Sequence, residues 1–408
     1  MGTAELFVEP TNIITGLSTL ANSGDVMFLV LMGTLVFAMQ LGFALLEGGQ
    51  VRKKNVNNVM MKNMTDWIIG AISWLFIGSV LAVSLIPGDF VSWWGQIVTT
   101  NFANNGIDLA TWFFGLVFAA TAATIVSGGV AERIKFKSYI IMSIIITAFI
   151  YPIYVYLGPW GSGILPFNDY AGSFIVHGLG GFLALGVIAA LGPRVGKFIN
   201  NKPVSIPGHN IPMSVFGAFV LAIGWYGFNV GSSFGISEIS GLVCATTTLA
   251  MAGGGIGALL ASKDDVLFTA NGLVAGLVAI CSGTDVVSPI GALIIGLLAG
   301  IQVPIVYKLI EKVGLDDVCG VVPVHGTAGI LGGILTGVFG MSVLGGTGDV
   351  SLVNQLIAAA VTIFYGTTLG FLLGKVAGIF TNGIRVTEEE EKVGLDISEH
   401  KLPAYHDE

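Results

Sequence analysis

Apolar residues in this 408-residue chain come in long runs, separated by short polar connections. Neither the strict alternation of a half-buried strand nor the one-sided stripe of a soluble helix dominates. Eleven runs approach the roughly 20 residues that a helix needs to cross a membrane. They lie near 25–47, 65–86, 110–131, 138–157, 170–191, 211–231, 239–261, 266–282, 287–308, 319–340 and 352–381. No connection is large enough to fold alone. The pattern predicts an all-α polytopic membrane protein in three parts. These are a segment 1–24, an eleven-helix body 25–381 and a polar tail 382–408.

Composition agrees with this reading. Mean hydropathy is +0.85 and only 10% of residues are charged, too few to cover a soluble surface of this size. The 59 glycines suit close helix packing in lipid. Charge then sets the orientation. Counting connections alternately, one side holds residues 1–24, 87–109, 158–169, 232–238, 283–286 and 341–351, without a single Lys or Arg. All 17 basic residues fall on the other side or at helix ends facing it. Basic loops stay in the cytoplasm, so the N-terminus is expected outside and the C-terminus inside.

A thirteen-residue pattern occurs twice. D-Y-A-G-S-F-I-V-H-G-L-G-G runs from Asp169 to Gly181, and D-V-C-G-V-V-P-V-H-G-T-A-G from Asp317 to Gly329. Both fit D-x-x-G-x-x-x-x-H-G-x-x-G. The copies are 148 residues apart, five predicted spans, and an odd number inverts the second. This predicts inverted repeats over about 25–191 and 211–340, followed by the helix 352–381. His177 and His325 each lie eight residues past their Asp, about 12 Å into the membrane at 1.5 Å per residue. Ionisable groups at that depth face a cavity or each other. The flanking glycines allow the two rings to share a hydrogen bond. Two other readings remain open here: each histidine satisfies a separate carbonyl, or the two bind a haem. Asp169 and Asp317 open their helices as caps. Asp169, at the outer mouth, is also placed to support a cation site.

Further candidates are single aromatics. Phe114 and Phe118 share a helix face, and the run from Trp225 to Ser232 contains Phe228. Trp160 precedes Asp169. The spans are read as holding no carboxylate at mid-depth. Val51 to Asn63 is read as a cytoplasmic loop and helix start without chemistry. Cys244, Cys281 and Cys319 are read as small packing residues. No nucleotide loop, Cys/His metal cluster or activated nucleophile is visible in the sequence. The expectation is therefore a non-enzyme without cofactor, metal or nucleic-acid partner. In the tail, Leu395, Ile397 and Leu402 are expected to dock on the inner face, while the glutamates stay solvated or meet the basic loops around Lys53 and Arg194.

These motifs, with G-G-V-A-E-R-I-K-F closing the third span and G-W-Y-G-F-N-V-G-S in the sixth, resemble the Amt/Mep/Rh ammonium transporters, and the Amt branch in particular. The resemblance implies eleven spans, a homotrimer in the plasma membrane and one hydrophobic pore per subunit. It implies pore histidines at His177 and His325 and a gate of Phe118 and Phe228. It implies an outer ammonium-recruitment site of Trp160, Phe118 and Ser232, with Asp169 beside it. A PII-type signalling protein is the implied partner of the tail. A Trp ring attracts ammonium and potassium alike. Selectivity is therefore expected to come from splitting ammonium into ammonia and a proton, with the histidines relaying the proton. A passive gas channel of Rh type and a membrane ammonium sensor are the alternatives.

Overall fold

The computed structural model describes residues 10–98 and 106–405. Among these, a two-stranded ribbon pairs Phe198–Ile199 with Lys202–Pro203, and the rest is helix and loop. The helices are α1 (Pro10–Gln50), α2 (Lys53–Leu81), α3 (Pro87–Ile97), α4 (Gly106–Val130), α5 (Phe136–Leu157), α6 (Ser173–Leu191) and α7 (Ile211–Gly231). They continue with α8 (Ser240–Ser262), α9 (Val266–Ile280), α10 (Pro289–Lys312), α11 (Val322–Phe339) and α12 (Leu352–Thr381). Two short tail helices follow, α13 (Glu388–Val393) and α14 (Leu395–Ser398). Ten of these runs are long and apolar enough to cross a membrane, and α9, with 15 residues, is shorter.

Several helices extend beyond their apolar runs. α1 begins at Pro10, so most of the segment 1–24 is helical; residues 1–9 of it lie outside the described residues. α2 begins twelve residues before the predicted run, which turns most of the basic stretch 51–63 into helix. Several of its polar side chains are not solvated. Lys62, Asn58 and Asn55 are buried and bonded within the protein, so charge alone was a poor guide to the helix end. α3 occupies the connection 87–109, of which residues 99–105 lie outside the described residues. Two indole N–H groups fasten it, Trp93 donating to the Leu75 carbonyl (2.6 Å) and Trp94 to that of Phe76 (2.7 Å).

Large apolar side chains point outward, as in a protein solvated by lipid. Phe216, Phe219 and Ile223 on α7 are more than half exposed. Small residues mediate the interior contacts. Gly296 and Gly300 of α10 lie directly against the backbone of Ala250 and Gly254 in α8, where any Cβ would collide. Dispersion between closely apposed backbones replaces the hydrophobic drive that lipid cannot supply.

The tail is built into the body. A capping box starts α13: Thr387 Oγ1 accepts from Glu390 N–H, and the Glu390 carboxylate accepts from Thr387 N–H. Leu395 is fully buried, as expected, but Ile397 and Leu402 remain exposed at 40% and 58%. Polar contacts do the docking in their place. Glu391 is buried, accepts from Val195 N–H (2.7 Å) and pairs with Arg385 (2.6 Å). Asn55 accepts from Leu395 N–H and Asp396 from Asn58 N–H. Residues 406–408 lie outside the described residues.

Candidate functional site

The two copies of the repeated pattern fold alike. Asp169 caps α6, its Oδ2 accepting from Phe174 N–H (3.0 Å) and Ile175 N–H (2.8 Å). Asp317 caps α11 in the same way, accepting from Val321 N–H (3.0 Å) and Val322 N–H (2.8 Å). The next fixed residue is left-handed in both, Gly172 at φ 97° and Gly320 at φ 71°, a region that favours glycine. A π-helical opening follows, Ser173–Gly178 and Val322–Thr327, and each contains the histidine. Wide turns of this kind often sit at functional sites. The last glycines of each copy interlock: a Cβ on Gly181 would overlap the Gly326 backbone, and one on Gly329 would overlap Ser173 O. Only bare backbones let the two helices approach closely enough for the rings to meet.

His177 Nδ1 and His325 Nδ1 are 3.3 Å apart, both rings are buried, and their centroids lie 5.4 Å apart. Of the earlier readings, this favours a shared hydrogen bond over two separate carbonyl contacts. One Nδ1 must donate and the other accept, so the neutral pair holds complementary tautomers. Among the described residues, the Nε2 atom of His177 finds no hydrogen-bond partner.

An aromatic column continues from the pair. Trp160 meets Phe118 edge-on at 5.8 Å, Phe118 stacks on Phe228 at 3.9 Å, and Phe228 lies 5.3 Å from His177. Beyond His325, Phe43 follows at 5.8 Å. Trp225 stacks on His177 at 5.0 Å, and its indole N–H donates to Cys281 Sγ at 3.1 Å. No sequence signal pointed to that support: Cys281 holds a ring as well as packing. All three cysteines are free.

At the Trp160 end, a cavity of about 800 Å³ is lined by Trp160, Phe118, Ser232, Phe114, Asp89 and Asp108, among others. The sequence-predicted Trp160, Phe118 and Ser232 thus line one cavity. Asp169 does not line this cavity. Its carboxylate oxygen Oδ2 serves the cap, and its main-chain carbonyl accepts the Trp160 indole N–H at 2.7 Å, so it positions that ring.

α4 runs from this cavity to a buried ion network at the tail end. Arg194 pairs with Asp316 (2.8 Å) and Glu132 (3.0 Å), and Arg52 with Glu132 (2.7 Å). Burial alone would raise both carboxyls. Arg133 and Arg194 outweigh it and hold Asp316 well below the usual carboxylate range, and Arg194 and Arg52 lower Glu132. Stability from such groups is present above the unfolded carboxylate value, near 4, and is lost only as pH falls through the lowered folded value. Arg133 is buried and donates to the carbonyls of Gly192, Gly129, Ala131 and Asp316. Among the described residues, no group of acidic, Cys and His side chains is arranged to hold a metal.

Comparison with known proteins follows the same lines. The model of the Ammonium Transporter Family matches residues 27–405. Ammonium transporter Amt2 of Methanocaldococcus jannaschii is 69% identical over 100% of this chain and 98% of its own, and Amt1 of the same organism 44% over 94% and 97%. The solved structure of a Sensor Amt Protein superposes with a TM-score of 0.84 at 30% identity, covering 94% of this chain and 99% of its own. Mep2 of Candida albicans, at 24% identity and a TM-score of 0.77 over 90% and 87%, shares the fold.

Proposed function

The chain belongs to the ammonium transporter family, and from that premise we propose that it moves ammonium by deprotonating it above a buried histidine pair. It is a multi-pass membrane transporter rather than an enzyme. The observation that carries the mechanism is the column itself: stacked Phe118 and Phe228 lead to two imidazoles in hydrogen-bond contact. Ammonium collects in the cavity against the faces of Trp160 and Phe118, near the Ser232 hydroxyl. No carboxylate stands among the column residues, and an unpaired ion buried among phenylalanines is prohibitively costly. Shedding a proton removes that cost for ammonium and cannot for potassium. Ammonia passes the phenylalanines and hydrogen-bonds the imidazoles, while the shared proton position of the pair relays the charge.

The expected result is an ammonium-evoked current in proteoliposomes on a solid-supported membrane, with none from potassium pulses. Ammonium uptake without charge movement would overturn the relay in favour of a passive gas channel.

Eleven spans in inverted halves, with the cavity outside and the tail inside, follow from the one-sided basic residues and the matched repeat. We assign the tail a regulatory role and a PII-type partner, and the protein a homotrimeric assembly. The docked α13 and α14, joined to Asn55 and Asn58 of α2, support an influence of the tail on the pore helices. Trypsin should remove residues beyond Lys392 in inverted vesicles and spare them in right-side-out vesicles. Trimming should also change the ammonium current. Cleavage from the outside would reverse the orientation, and an unchanged current after cleavage would make the tail a passive end.

A further inference from the structure

α1 and α2 carry three buried ionisable side chains outside the column: Glu47, Lys62 and Asp66, exposed by 3%, 0% and 0%. The expectation of spans without a mid-depth carboxylate is corrected here. Asp66 lies in the middle of α2 because that helix starts at Lys53. Ser127 of α4 joins two of them, its hydroxyl donating to Glu47 (2.7 Å) and its carbonyl accepting from Lys62 Nζ (3.0 Å). Asp66 accepts from Tyr139 (2.6 Å) and Ser143 (2.8 Å) of α5. The Lys62 ammonium also stands over the Tyr139 ring at 5.2 Å. No carboxylate lies within ion-pair distance of Lys62 among the described residues.

The cluster is joined to the histidines through α1. Phe43, whose ring contacts His325, is one turn before Glu47 on the same face. The Glu47 carboxyl, Val321 and Cys319 all approach Gly128, and Cys319 is six residues before His325. The titratable and charged groups facing the cluster are the Tyr139 phenol, the Cys319 thiol and Arg133, which is matched by Asp316. One ammonium stands against two carboxylates. Full ionisation would leave a negative charge over in a site closed to solvent, which is costly. A neutral cluster therefore holds one proton on a carboxyl group.

We propose that Glu47, with Lys62 and Asp66, receives the proton from the histidine pair and passes it towards the tail end. This rests on the relay described above. In the step, Asp66 holds the cluster's resident proton, and Glu47 starts as the carboxylate near the Lys62 ammonium. An N–H bond of the protonated pair breaks and an O–H bond forms on Glu47, which then releases that proton towards the tail end. The pair returns to neutral and can accept the next proton. Phe43 itself carries no proton. Its ring centroid lies 5.8 Å from that of His325, and Glu47 stands one helical turn, about 5.4 Å, further along α1, so the transfer requires a short file of waters past the Phe43 ring. Lys62 keeps the deprotonated carboxylate tolerable, and Asp66 holds the second half of the charge balance.

Glu47→Gln keeps the shape and an acceptor for Ser127 but cannot take up a proton. In proteoliposomes its ammonium current should fall about tenfold or more. Neutral ammonia entry, read from an internal pH dye, should persist, and Glu47→Asp should restore part of the current. Wild-type current in Glu47→Gln, with loss in His177→Ala, would overturn the station and leave the relay standing. Wild-type current in both histidine variants would instead defeat the relay itself. If Glu47→Gln does not assemble, Glu47→Asp decides. Undiminished current with an unchanged pH profile would then overturn the proposal, because retracting the carboxyl by one methylene must slow the transfer.

Discussion

Gly181→Ala is expected to abolish the folded transporter although it adds a single methyl group. An ideal Cβ at this position overlaps Gly326 N and Cα and comes within 3.0 Å of the His325 carbonyl carbon. Every one of these atoms is backbone, so no side chain can turn aside. Relief would require separating α6 from α11 at their crossing, next to the histidine pair. The cost should reach or exceed the ~3 kcal/mol upper end of ordinary overpacking. Gly329→Ala should behave alike, since its Cβ would meet Ser173 O and the Gly178 backbone. Gly95→Ala on α3, where nothing lies within 4 Å, is the control. Detergent extracts compared by size-exclusion chromatography should show a wild-type peak for the control and aggregate for the other two. A Gly181→Ala protein with wild-type elution and current would mean that the helices do not touch there.

The same crossing shows why so much of the site was legible in the sequence. A helix that needs a cap, a left-handed turn, a histidine and two bare backbone positions leaves a signature of five residues, of three types, at fixed spacing. Two copies of that signature pointed to the pair before any distance was known. The apolar runs located the helix centres for a comparable reason, because lipid forbids long polar stretches in a span. Helix ends were less legible. Lys62 counts among the basic residues of the cytoplasmic side, and Asp66 goes unmarked, because hydropathy does not register a partner on another helix. In the structure, Ser127, Tyr139 and Ser143 satisfy them. In the tail, the second of the two readings of the glutamates holds for Glu391. It is buried against Arg385 and meets the loop beside Arg194 through Val195 N–H and the loop beside Lys53 through Arg52. That such a charge would be fully buried was not legible, because its partners lie as far back in the chain as Arg52. Trp225 stacking on His177 was likewise invisible, since only the fold brings Cys281 to its indole.

Removing either imidazole should have the largest effect on transport. In the proposed relay the two Nδ1 atoms, 3.3 Å apart, share one proton position. His177→Ala leaves His325 Nδ1 without its imidazole partner, and His325→Ala leaves His177 against the Trp225 and Phe228 rings with no second imidazole. Either change removes the second site that a proton must reach. A positioned proton-transfer group contributes roughly 10²–10⁴-fold, so ammonium current should drop about a hundredfold or more in each single variant. The double variant should be no worse than the singles, because the pair works as a unit. Ammonia entry measured with an internal pH dye should fall far less, since the Phe118–Phe228 stack that it must pass is untouched. Space freed beside the column can also admit water and with it a hydrated cation. A potassium current absent from the wild type is therefore the second readout, and it separates a lost relay from a misfolded pore. If both single variants keep the wild-type ammonium current and pass no potassium, the histidine pair neither carries the proton nor guards selectivity, and the mechanism must be sought outside the column.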